Sequence, residues 1–292
     1  MDYNGRRLRH EQKYYISYGE YYNLVSKLSA VLKRDGNYGD KGYFIRSLYF
    51  DDMYNSSYYE KEAGNFTRSK YRIRIYNYSD KYGDIKLEQK CKIDRYIAKS
   101  SLVISKDQFY DIIDGGGEFL LDNRKKVAKD FYIATRYRLL RPSVIVDYYR
   151  DAFTMEEGNV RITFDKELRA GVNTFDVFDR EAVTVNAYPP GKLVMEVKYD
   201  DYLPRKVQKL IQPDCSEYMA ISKYVLCRKA KDLMQETFAA RLEKQEAELR
   251  SLQAQINPHF LYNTLDNISW MAVRANAPDI SGMIQTLSPY FR

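Results

Sequence analysis

Cysteine is scarce in this chain. Cys91, Cys215 and Cys227 are too few and too scattered across 292 residues for a disulfide framework or a four-ligand zinc site. A reducing, cytoplasmic setting is therefore expected. Glycine and proline are also sparse, at 14 and 8 residues, which excludes a collagen-like or wholly disordered chain. No stretch approaches the roughly 18 to 20 apolar residues of a membrane helix, and residues 1–15 lack the apolar centre of a secretory signal. Membrane association would then require a partner. Neither a phosphate-binding Gly-x-x-x-x-Gly-Lys-Ser/Thr loop nor a protein-kinase catalytic loop occurs, so neither of those nucleotide-binding schemes applies.

What is present is 45% apolar and 30% charged sequence, enough for a sizeable core. The length suggests one large domain or two, at roughly 100 to 200 residues each. The net charge of +7 permits a polyanionic partner: nucleic acid, an anionic membrane or a phosphate-rich small molecule. No nucleic-acid recognition motif accompanies it, and nucleic acid is not the expected partner. The 29 tyrosines suit half-buried sheet positions, with base stacking as the alternative use.

Period-two alternation predicts strands over Leu8–Ile16, Tyr43–Phe50, Lys70–Tyr76, Asp84–Lys92, Ser143–Phe153, Asn159–Asp165 and Lys192–Tyr199. Helical spacing appears over Gly19–Leu32, Ser105–Ile113 and Pro204–Ile211. Near residue 230 the composition changes. From Lys231 to Ile256 there is no Gly or Pro, and Phe238, Leu242, Leu249, Leu252 and Ile256 follow a three-four spacing. That pattern predicts a long amphipathic helix able to pair with a second copy of itself.

The strands share a pattern of charge. Lys70, Arg72 and Arg74 lie on one face of their strand, as do Lys86, Glu88 and Lys90, then Arg161, Thr163 and Asp165, then Glu196 with Lys198, and Glu11 with Lys13. One such strand is what any half-solvated sheet shows. Five of them suggest that, if the sheet closes, the charged faces line an interior fitted to a polyanion. Arg and Lys would hold phosphate oxygens there, and Glu a divalent metal.

The segments Arg9–Tyr14, Ser47–Asp51, Lys70–Arg74, Leu87–Lys90, Arg141–Phe153, Val160–Asp165 and Met195–Tyr199, in this order and spacing, resemble the VTC domain. This is the polyphosphate polymerase domain of the vacuolar transporter chaperone type, one of the CYTH-like triphosphate tunnel metalloenzymes. The resemblance covers about residues 6 to 230. It implies an α+β fold built on an eight-stranded antiparallel β-barrel tunnel with flanking helices. By the same resemblance Lys13, Arg72, Arg74, Lys90, Arg150, Arg161 and Lys223 would hold ATP and the growing chain, with Lys99 and Lys198 as further substrate contacts. Glu196 would bind Mn²⁺ or Mg²⁺, with Glu11 and Glu88 in support. The tunnel family opens on Glu-x-Glu-x-Lys. Here Arg9 stands at the first position and only Glu11-x-Lys13 remains, which counts against a simple triphosphatase.

The string Leu252–Leu265, with Asn257-Pro258-His259 at its centre, resembles the phosphoacceptor box of LytS/YesM-type sensor histidine kinases, over about residues 235 to 292. The resemblance makes His259 the phosphoacceptor, since a neutral imidazole is a competent nucleophile near neutral pH. Pro258 would kink the helix beside it. It also implies a homodimer through residues 235–265, and a response regulator or a kinase ATP-binding domain acting in trans, because no such domain follows in this chain. The expected division is 6–230 tunnel domain, 231–256 stem helix and 257–292 truncated phosphoacceptor segment. Two functions follow from these parts: ATP-dependent polyphosphate polymerisation, or non-catalytic sensing of polyphosphate or nucleotide by a kinase input domain.

Overall fold

A computed structural model describes residues 2–3, 6–7, 9–35, 42–93, 96–211, 217–218, 220–255 and 258–287. Eight strands carry the architecture: β1 (His10–Ser17), β2 (Tyr43–Asp51), β3 (Thr67–Tyr76), β4 (Lys86–Ile93), β5 (Tyr96–Val103), β6 (Arg141–Met155), β7 (Val160–Gly171) and β8 (Lys192–Tyr199). All pair antiparallel in the order β1-β8-β7-β6-β2-β3-β4-β5. Short strands at Lys33–Arg34, Thr184–Asn186 and Glu217–Tyr218 pair with β6, β7 and β1. The seven expected strands are present with end shifts of a few residues. β5 is the strand that periodicity did not reveal, because its sequence Tyr-Ile-Ala-Lys-Ser-Ser-Leu-Val alternates weakly.

The expected closed barrel is corrected in one respect: the sheet does not close. Among the described residues its two ends meet at an isolated bridge alone, where the Ile97 N–H donates to the Arg9 carbonyl at 3.2 Å. The reason is competition for an edge. One side of β1 pairs with β8 along its whole length, and on the other side Tyr14 and Tyr15 are taken by Glu217–Tyr218. Only the start of β1 is left for β5.

Period-two alternation sorts the side chains. One outer face of the sheet, from β2 to β5, buries Leu48, Phe50, Ile73 and Leu87 under α3 (Lys106–Ile113) and α4 (Lys126–Tyr137). The other outer face, on β1, β8 and β7, buries Ile16, Leu193, Met195, Ile162 and Phe164 under α1 (Tyr18–Ser29) and α5 (Arg205–Leu210). Of these helices, α1 and α3 start where their caps direct. Ser17 and Ser105 each accept from the N–H three residues on, and Glu20 and Gln108 return the bond. A short α2 (Ser56–Glu62) follows β2. Gly42, at φ +85°, lets β2 begin against β6, since a Cβ there would collide with the Arg150 carbonyl.

A third cluster lies on the inner face, where Tyr49, Val146, Tyr148 and Leu168 receive Tyr224, Val225 and Cys227 from the first turns of α6 (Lys223–Gln255). The chain divides into two compact units at Met234/Gln235, and α6 belongs to both. The second unit continues with α7 (Pro258–Arg274) and α8 (Pro278–Leu287). Pro258 is the first described residue of α7, and the expected kink beside it falls outside the described residues. Ile256 and Asn257 lie outside the described residues. Phe238, Leu242, Leu249 and Leu252 form the expected stripe and are exposed. Among the described residues no helix is long and apolar enough to cross a membrane.

One buried ion pair holds the outside of the sheet. Arg46, 1% exposed, donates to both carboxylate oxygens of Asp147 at 2.9 and 2.8 Å and to the main-chain oxygen of Asp179. Asp147→Ala leaves this guanidinium buried without its counter-ion. Urea denaturation should show a loss of about 3–5 kcal/mol, and replacing both partners with apolar residues should recover much of it.

Candidate functional site

The inward faces of β1, β3, β4, β6 and β8, with the start of α6, enclose a cavity of about 210 Å³. Among the described residues it is lined by eleven basic side chains and two carboxylates, Glu11 and Glu196. The register explains the gathering. Glu196 lies opposite Lys13 and Lys198 opposite Glu11 across β8–β1, while Lys70 faces Lys90 and Arg72 faces Glu88 across β3–β4. Side chains directly paired across strands share a face, so one charged position recruits the next.

Glu196 is the centre of the site. Its carboxylate meets Lys198 at 2.9 Å, Lys13 at 3.4 Å, Arg150 at 3.5 Å and Lys223. Arg150 grips Asp165 with two bonds, at 2.6 and 2.7 Å, and Lys223 bridges Asp165 and Glu196. Burial pushes the Glu196 carboxyl up, but Lys198, Lys223, Lys13 and Arg150 together hold it well below the usual carboxylate range. Burial opposes the charge of Lys223 too, and Asp165 and Glu196 overcome it and raise its pKa well above the ordinary lysine value.

A second group lies on β3 and β4. Arg72 binds Glu88 at 2.8 Å and the Tyr49 hydroxyl at 2.8 Å. Arg74 binds Ser47 Oγ and the Tyr148 hydroxyl, both at 3.0 Å. Lys90 contacts both oxygens of Glu11 at 3.0 Å. Burial pulls Lys90 down to about 7, since Glu11 only partly offsets the desolvation and the nearby Lys13 and Lys198. Its side chain keeps 32% of its exposure, all the same, because the cavity is open to solvent.

Of the residues expected from sequence, Lys13, Arg72, Arg74, Lys90, Arg150, Lys198, Lys223, Glu11 and Glu196 line this cavity together. Three stand apart from its lining. Arg161 turns to Asp35 at 2.7 Å and the Tyr43 hydroxyl at 3.1 Å. Lys99, half exposed, reaches Glu88 at 2.8 Å, and Glu88 lies fully buried behind Arg72. His259 belongs to α7, and its side chain lies outside the described residues.

The expected metal ligands do not converge. Glu11 and Glu196 share Lys13, whereas Glu88 is engaged by Arg72 and Lys99. Among the described residues no three Asp, Glu, His or Cys side chains are placed to hold an ion. Every carboxylate named here already meets a protein cation, so Glu11 and Glu196 would hold a Mn²⁺ or Mg²⁺ only together with the phosphate oxygens of a ligand.

Asp165, Tyr49, Tyr148, Lys61, Arg68, Lys70, Ser222 and Tyr224 also belong to the site. Asp165 and Lys70 carried a signal, since each shares a charged strand face with residues that were singled out. Lys61 on α2, and Ser222 and Tyr224 at the start of α6, carried none, because strand alternation does not extend to them.

Comparison with known proteins places two family matches on the chain. The family model described as VTC domain matches residues 8–231, and that described as Histidine kinase matches residues 247–292. The sensor histidine kinase YesM of Bacillus subtilis is 46% identical over 63 residues, which is 22% of this chain and 11% of that protein. The chain thus spans about a tenth of that curated relative. Similar solved structures include an adenylyl cyclase from Hippeastrum described as having a dominant triphosphatase activity, at 14% identity and a TM-score of 0.44 over 77% of this chain and 96% of that one. The Mimivirus capping enzyme triphosphatase is another, at 11% identity and 0.35 over 70% and 86%.

The buried carboxylates make a pH prediction. Glu88 is pushed up by burial but held low by Arg72, Arg74 and Lys99. A depressed folded-state pKa adds stability that is fully present above the ordinary value near 4.5 and is lost as pH falls through the folded value. Glu88→Gln should therefore cost roughly 3 kcal/mol at pH 7. In urea denaturation across pH 7 to 3, the gap between wild type and variant should narrow only below about pH 4.5.

Proposed function

This chain belongs to the VTC domain family through residues 8–231, and on that premise we propose that its cavity binds ATP and inorganic polyphosphate and transfers the nucleotide γ-phosphoryl group to the chain end. The observation that carries the reading is the charge balance of the cavity, eleven basic side chains to two carboxylates. A terminal oxygen of the polyphosphate attacks the γ-phosphorus in line. The new P–O bond forms as the bond to the β,γ-bridging oxygen breaks, ADP leaves, and the chain is one phosphate longer. Such a transfer needs positioning and charge neutralisation more than covalent help.

Arg72 and Arg74 offer planar forks to the transferred group, held in place by Glu88, Tyr49, Ser47 and Tyr148. Lys13, Lys198 and Lys223 are compact charges around Glu196, which fixes their positions. A divalent ion held by Glu196 and the phosphates would add to this charge neutralisation, and the chain's own contribution is its cations.

A second reading is favoured by one feature. Lys223, inside the site, is the first residue of α6, and that single helix of 33 residues runs on to Gln255, four positions before His259. A domain that only senses polyphosphate or nucleotide would act through such a helix on a kinase dimer, with a response regulator or an ATP-binding domain supplied in trans.

The purified chain, given ATP as its Mn²⁺ or Mg²⁺ complex, should form long-chain polyphosphate. Arg72→Ala/Arg74→Ala should lower the rate by about 100-fold or more, and Glu196→Ala should lower it too by releasing Lys13, Lys198 and Lys223. A folded protein that binds polyphosphate but makes none would establish the sensing reading instead.

A further inference from the structure

Nine of the eleven cations of the cavity fall into two groups, apart from Arg74, which donates to the Ser47 and Tyr148 hydroxyls, and Lys92. Lys13, Arg72, Lys90, Arg150, Lys198 and Lys223 each hold a carboxylate. Lys61, Arg68 and Lys70 do not: among the described residues none of the three has a carboxylate at ion-pair distance. Arg68 donates to the main-chain oxygen of Asn65 at 2.5 Å. Lys61 is half-buried on α2. Lys70 rests its ammonium over the Tyr224 ring at 4.4 Å, with Ser222 Oγ at 3.4 Å.

Lys70 is faced by Arg68 and Arg72 on its own strand, Lys90 on β4, Lys61 on α2, Lys13 on β1, Asp51 on β2, and Lys223 and Tyr224 on α6. Asp51 is the one acid among them, and it is spent elsewhere. It accepts from the Tyr224 hydroxyl and from the N–H groups of Asp52, Ser57 and Tyr58. Burial, then repulsion from Arg68, Lys61 and Lys13 against the weaker pull of Asp51, brings Lys70 down to about 7. Cations crowded into a cavity edge with no carboxylate at ion-pair distance, and only the weaker attraction of Glu60 on Arg68 and Glu62 on Lys61, make a place that an anion completes.

We propose that Lys61, Arg68 and Lys70 form a second anion subsite, beyond the ion-paired centre, for the phosphate groups of an inorganic polyphosphate longer than a triphosphate. The proposal rests on the polyphosphate reading above. When the chain enters, its charge restores a counter-ion to Lys70, and Nζ takes a proton from solvent; no phosphate bond breaks. Chain binding then draws up to one proton at Lys70 and weakens as pH rises above 7. The centre holds a triphosphate without Lys61, Arg68 and Lys70, and any proton drawn there, at Lys90, is common to both ligands.

Isothermal titration calorimetry of the full chain with tripolyphosphate and with long-chain polyphosphate tests this, in two buffers of different ionisation enthalpy at pH 8. Lys61→Ala/Arg68→Ala should weaken long-chain binding about tenfold or more while leaving tripolyphosphate within about threefold. Lys70→Arg, which stays charged, should keep long-chain affinity and reduce proton uptake. It should also flatten the pH dependence by up to about tenfold per unit. Equal loss for both ligands in the double variant, or no loss for either, would overturn the subsite. So would proton uptake unchanged by Lys70→Arg. Wild-type protein that binds neither ligand would bring down the polyphosphate reading along with it.

Discussion

Confining many cations in one small cavity is the constraint on which the rest of this structure depends. Like charges a few ångströms apart inside a protein repel far more strongly than in water, and burial adds a desolvation cost to each. The fold answers with carboxylates set among them. Glu196 alone serves Lys13, Arg150, Lys198 and Lys223, and Asp165 takes the second contact of both Arg150 and Lys223. Removing one of these acids releases several cations, so the geometry of the site is that of its counter-ions.

The same electrostatics recasts the acidic residues. Read from sequence, Glu11, Glu88 and Glu196 look like ligands for a divalent ion. In the fold each is saturated by lysine or arginine, and all three carboxyls are held low by those partners. Through these pairings the three carboxylates balance part of the cavity's positive charge. An entering polyphosphate would compete with them for the same ammonium and guanidinium groups. Exchange of one anion for another costs less than creating a new charged environment, because the cations are already desolvated and placed.

Much of the sheet was legible because most strands alternate, with Arg72, Arg74, Lys90, Glu196 and Lys198 inward and Ile73, Leu87 and Met195 outward, although Val146 and Leu168 also face inward and Arg46 and Asp147 outward. Arg72 and Arg74 opposing Ile73 and Ile75 is enough to assign both faces of β3. What alternation could not show was closure. That depends on which segment captures the free edge of β1, and the competitor, Glu217–Tyr218, is two residues long with no periodicity of its own. Pairwise partners were likewise hidden. Arg161 sits on the charged face as expected, yet it turns to Asp35 and Tyr43, residues that no strand pattern links to it. The nine expected residues that do meet in the cavity came from strand faces and a family likeness together, while Lys61 and Tyr224 come from helices that periodicity does not join to the sheet.

The junction at α6 ties the two ends of the chain's chemistry to one element. Lys223 lies in its first turn, clamped between Asp165 and Glu196, and Tyr224 beside it supports Lys70 through its ring and Asp51 through its hydroxyl. Any anion that draws Lys223 away from Glu196, or recharges Lys70 over Tyr224, therefore acts on the start of a helix whose far end lies within the segment that the histidine kinase family model matches. Binding energy taken up at Lys223 biases α6 only as far as the ligand distinguishes two positions of that helix.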